Sequence, residues 1–141
     1  MLNFLTPFHP KLVHFPIALF MTALIFETLS RCFKKNLLSE AALLIYCFSA
    51  IFTPAVVYSG LVEQGRLHLN HPILIQHKNF AFLTMWISLA SLPILWFLRK
   101  TSEKIFRNFF FILLLALSIT VTLAGFYGGK MVYEYSVGVG S

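Results

Sequence analysis

The sequence predicts an all-α membrane protein: four transmembrane helices in a bundle, built as two pseudo-symmetric helical hairpins. Three observations carry this expectation. Four long apolar runs are separated by short basic connections. Hydrophobic residues make up 58% of the chain and charged residues only 11%, too few charges to clothe a water-soluble domain. A motif near the start, HPKLVHFPIAL from His9 to Leu19, returns in part as HPILIQHKNFAFL from His71 to Leu83, so the second half echoes the first. The 141 residues suit one domain with spans at about 11–31, 40–62, 73–98 and 106–128, followed by an outer-face tail at 129–141. The net charge of +6 does not indicate nucleic acid, because the basic residues lie in the connections, where they set membrane orientation.

The first run, from Leu12 to Leu29, nearly crosses a hydrocarbon core at about 1.5 Å per residue. It is longer than a signal-peptide core and lacks a small-x-small exit. Pro10 suits a first helical turn. Pro16 conflicts with the carbonyl of Leu12, so the helix is expected to bend there or to begin later. Glu27 is costly in lipid and is expected to reach the interface beside Arg31. The second run, Ala41 to Val62, contains Pro54, whose freed carbonyl needs a neighbouring helix, hydroxyl or water. The third is strongest from Phe80 to Leu98 and carries Pro93. The fourth, Phe109 to Tyr127, is uncharged and offers the hydroxyls of Ser118, Thr120 and Thr122 to partner helices. In the tail, apolar residues alternate from Met131 to Val139, a pattern that fits a short extended segment over the outer mouth or a flexible end. Cys32 and Cys47 form neither a disulfide framework nor a CxxC pair and read as buried or cytoplasm-facing thiols.

The connections after spans one and three hold Arg31, Lys34, Lys35, Arg99, Lys100, Lys104 and Arg107, against Lys11, Arg66, Lys78 and Lys130 on the opposite side. Positive-inside bias places the first group in the cytoplasm. The expected location is a bacterial inner membrane, with the lipid bilayer as the immediate partner. Both termini and all five histidines then lie at the outer, periplasmic side.

Aligning the two motifs with one inserted residue matches His9 and Pro10 with His71 and Pro72, Leu12 with Leu74, and Ala18 with Ala81. His14 and His77 are then expected at equivalent depths, facing each other across an axis along the membrane normal. Ala18 and Ala81 lie four residues beyond them on the same helix faces, and Gly60 and Gly125 leave further room. Two opposed imidazoles among small residues suit a six-coordinate haem b, with Lys11, Arg66, Lys78 and Lys130 near its propionates. The absence of CxxCH excludes covalent attachment. The corresponding function is electron transfer between a quinol or redox protein and an outer-face acceptor, in an accessory subunit more than a stand-alone enzyme.

Two alternatives stay open. Small residues pack any membrane bundle, so a cofactor-free structural or assembly subunit, as a homo-oligomer or in a larger complex, accounts for the same pattern. Alternatively, His9 and His71 join His14 and His77 to bind copper or zinc. Capping at a helix start is a sufficient explanation for His9 and His71, and the five-residue spacing from His9 to His14 does not align those two on one face. His68 reads as a solvated loop residue.

HPKLVHFPIAL, the end of span two at Gly60, His77 at the start of span three and the terminal GGKMVYEYSVGVG resemble the bacterial membrane family catalogued as domain of unknown function 2231. The similarity covers almost the whole chain, and Gln76 before His77 makes the second motif the looser match. The resemblance implies a small four-span inner-membrane protein. Members joined to Rieske-type iron–sulfur modules favour electron transfer, and no such module is present here.

Overall fold

A computed structural model describes residues 8–68 and 70–136, apart from the side chain of Leu67. The first apolar segment comprises α1 (Phe8–Leu12) and α2 (His14–Phe33); α3 (Asn36–Leu67), α4 (Pro72–Thr101) and α5 (Glu103–Tyr133) follow. The four segments are long and apolar enough to cross a membrane. At 32 residues, α3 extends about 48 Å, more than the roughly 30 Å of a hydrocarbon core, so its ends reach the headgroup region. Helix α2 packs on α3 and α5, and α4 packs on α3 and α5, which closes a four-helix ring. Contacts are richest within the consecutive pairs α2–α3 and α4–α5.

Apolar side chains lie both inside and outside this ring. Phe20, Tyr46, Phe110, Leu114 and Leu117 are buried, whereas Leu44, Ile51, Trp86, Ile112 and Ile119 are exposed on the bundle exterior. An exterior of that kind suits lipid rather than water. The helices approach closely because many inward positions are small, among them Ala23, Ala42, Ser49, Ala50, Ser88 and Ser91; lipid supplies little hydrophobic drive for helices to associate, so close packing and interhelical hydrogen bonds must hold them. At the centre, Tyr46 Oη donates to the Ser88 carbonyl at 2.7 Å and touches the Ser91 hydroxyl. Tyr46→Phe is expected to cost roughly 0.6 to 1.7 kcal/mol, the span for such bonds in membrane proteins. Unfolding in mixed micelles measures it, and an unchanged midpoint would show that the bond contributes nothing.

The prolines act differently according to position. Pro16 cannot donate to the Leu12 carbonyl, and the first segment is divided at Val13, whose N–H bonds the His9 carbonyl at 3.1 Å. The single turn of α1 packs against α3 and α2, and Val13 between α1 and α2 keeps a helical backbone conformation. Pro54 and Pro93 remain inside continuous helices. Helix α5 also continues past the last apolar run. Met131–Tyr133, where alternation suggested an extended segment, are helical, and residues 137–141 lie outside the described part.

Glu27 is enclosed by protein at one end of the bundle. Its side chain is fully buried, yet it keeps the expected neighbour: Arg31 Nε donates to Oε1 at 3.0 Å. Ser39 on α3 donates to Oε2 at 2.5 Å, and Arg107 on α5 lies 3.4 Å from Oε1. Arg107 also donates to Ser30 Oγ at 2.9 Å, and Arg31 donates to the Arg107 carbonyl and to Asn108. One carboxylate thus ties α2, α3 and α5 together at the end of the bundle opposite the histidines.

Candidate functional site

His9 and His14 are five residues apart, about 140° around a regular helix, and they do not share a face. His14 is exposed, while His9 is half-buried. His9, not His14, stands opposite His77: the two ring centroids are 6.1 Å apart, with their planes at 82°. Where the sequence suggested His14 beside His77, the structure brings His9 there and leaves His14 on the exterior.

Each ring rests on a glycine. A Cβ at Gly60 would lie 2.7 Å from His9 Cε1, and one at Gly128 would lie 3.2 Å from His77 Nδ1. Gly60 therefore borders the pair, as expected from the sequence. Gly125 does not; a Cβ there would meet Ile17 Cδ1 at 3.4 Å, so it sits at helix packing, and the matching seat is one turn further along α5. Of the two alanines, Ala81 lines the cavity beside the pair, whereas Ala18 is exposed.

The hydrogen bonds define the tautomers. His77 Nδ1 lies 2.8 Å from the Ala124 carbonyl; a carbonyl only accepts, so Nδ1 carries the proton. His9 Nδ1 lies 2.9 Å from Ser59 Oγ, and that hydroxyl donates to the Val56 carbonyl at 2.7 Å. The Ser59 oxygen therefore accepts from His9 Nδ1–H. In both neutral imidazoles the lone pair is left on Nε2. An Nδ1–H fixed by a carbonyl or hydroxyl is the usual support of a metal-ligating histidine.

The two rings line a cavity of about 90 Å³ with Gly60, Leu74, Ala81 and Met131. Sites for drug-sized ligands occupy roughly 300–1,000 Å³, so admitting a porphyrin beside the pair would require these helices to part. Nor are all the cations foreseen for propionates uncommitted: Lys78 donates to Gln64 at 2.9 Å, Arg66 pairs with Glu63 at 3.7 Å, and Lys130 pairs with Glu134 at 3.4 Å. His71 caps α4, its Nδ1 accepting from Ile73 N–H at 3.3 Å, and its ring packs on Tyr135 at 4.5 Å. His68 is exposed and ends α3 in a left-handed conformation.

Sequence reasoning missed Gly128, Ser59 as a hydrogen-bond partner and the primary place of His9. The GG pair at 128–129 was the available signal, but the apolar run ended at Tyr127 and made those glycines look like tail.

A four-helix integral membrane protein with an inward-facing histidine pair near one end is the class that these features define. The sequence matches the family described as Predicted membrane protein (DUF2231) over residues 5–141, and the chain belongs to that family. No curated protein and no solved structure matches it.

Proposed function

We propose that the protein binds a transition-metal ion through His9 and His77 at the outer end of its bundle. The observation that carries this reading is the pair of rings lining one cavity, each held at Nδ1, by the Ser59 hydroxyl for His9 and by the Ala124 carbonyl for His77, an arrangement that leaves Nε2 for an ion. Imidazole nitrogen suits copper, zinc, iron and nickel. The excess of lysine and arginine at the Glu27 end supports an inner-membrane orientation in which that end is cytoplasmic, so the histidine pair opens to the periplasmic side.

Haem b, and with it electron transfer from a quinol, is the second reading. A 6.1 Å ring separation favours it, being close to that of two axial imidazoles on one iron. It requires α4 and α5 to part from α1 and α3 to admit a porphyrin, a movement that a bare ion does not need.

Purified, detergent-solubilised protein, prepared with ample haem and trace metals, separates these readings. Metal analysis is expected to find one transition-metal ion, lost in His9→Ala and His77→Ala and kept in His14→Ala, with no Soret band. A Soret band lost in the same two variants would replace the ion by haem. Metal retained by both variants would remove the histidine pair from the function altogether, and absence of both metal and haem would favour a structural subunit.

A further inference from the structure

We propose that Met131 is a third ligand in this site and that the ion is copper(I). This inference rests on the metal-binding reading of His9 and His77. Met131 lines the same cavity as the two imidazoles. It lies three residues beyond Gly128 on α5, hence on the same helix face, and Gly128 is the glycine on which the His77 ring rests. The helix that leaves room for the His77 ring thus carries a thioether to it one turn later.

The composition of the site discriminates among metals. Among the described residues, no third histidine, cysteine, aspartate or glutamate joins the pair in a group that could hold a metal. Glu63 lines the cavity but is paired with Arg66 at 3.7 Å. Zinc sites are usually four-coordinate and often draw on thiolate or carboxylate; here the carboxylate at the cavity, Glu63, is engaged by Arg66. Two neutral imidazoles and a thioether provide two nitrogen donors and one sulfur donor, and soft thioether donors select copper(I). Charge points the same way: all three ligands are neutral, and the Glu63 carboxylate at the cavity is offset by Lys78 beside it and by Arg66, so little net negative charge compensates the ion. A monovalent ion is far less costly than a divalent one in a partly desolvated setting.

The test is anaerobic copper(I) competition against a chromophoric chelator on the detergent-solubilised full chain, with zinc(II) titrated in parallel. Cys32→Ser and Cys47→Ser are introduced throughout so that thiols do not compete. The unsubstituted site is expected to bind copper(I) more tightly than zinc(II). Met131→Leu, similar in volume, is expected to weaken copper(I) about 10–100-fold, the scale of losing one supporting group, to leave zinc(II) binding unchanged, and to remove the sulfur shell from the copper X-ray absorption spectrum. Copper(I) affinity and sulfur scattering unchanged in Met131→Leu, with binding lost in His77→Ala, would overturn the methionine and leave the histidine pair standing. Zinc(II) held through His9 and His77 more tightly than copper(I) would overturn copper and leave the histidine pair standing, whereas binding of neither metal, or binding that survives His9→Ala and His77→Ala, would overturn both.

Discussion

Glu27→Ala is expected to be the most damaging single change in the protein, costing about 3 kcal/mol, the lower end for one partner removed from a buried ion pair. The Glu27 side chain has no exposure, while Arg31 and Arg107 keep 30% and 20% of theirs. The lower end applies because both guanidinium groups can turn partly toward water. What remains is still severe. Two positive charges lie side by side at the meeting point of α2, α3 and α5, and the Ser39 hydroxyl loses its acceptor. Glu27→Gln restores an acceptor without the charge and should fall between the two. Thermal unfolding in detergent reads the effect as a lowered midpoint and as reduced yield of folded protein. A midpoint equal to that of the unsubstituted chain would show that the arginines, and not the carboxylate, hold that end together.

Gly60→Val is expected to do the opposite, abolishing the site while sparing the bundle. Its Cβ would occupy the place of the His9 ring, 2.7 Å from Cε1. The atoms in the way belong to the end of a side chain on a one-turn helix, so the ring swings out and α3 keeps its course. Metal affinity should fall by at least the roughly 10–100-fold seen when a ligand's support is lost, with the unfolding midpoint nearly unchanged. Gly128→Ala, where the clash is 3.2 Å, should give a smaller loss in the same direction. Metal titration and thermal unfolding on the same preparations check both. Full affinity in Gly60→Val would mean that His9 does not bind metal from the position described.

The architecture was legible from hydropathy because in lipid a helix must satisfy its own backbone, so each long apolar run is committed to one conformation. The site was legible only in its α4 half. The surroundings of His77 can be followed by counting residues along α4, and Ala81 duly lies at the cavity one turn on. Counting does not choose between the two histidines of the other half: His9 and His14 lie on different faces, and it is His9 that meets Ser59. Internal repetition misled. It paired Gly60 with Gly125, although the glycine equivalent in space is Gly128, because the two halves differ by a turn where they close on their rings. Arg107 meets Glu27 from a position 80 residues away, and no local pattern announces such a partner.

The unequal ends of the bundle have a kinetic consequence. One end is cross-braced by a carboxylate shared among three helices, whereas the other holds His9 on the opening turn of the first segment, tied down by the His9–Ser59 hydrogen bond and by packing on α3. Local opening needs far less free energy than global unfolding where few contacts are broken. The His9 arm can therefore detach and re-dock while the bundle stays folded. Opening at that end is then decoupled from the melting of the protein, so a chain strengthened at its braced end would lose the His9–Ser59 contact no less often.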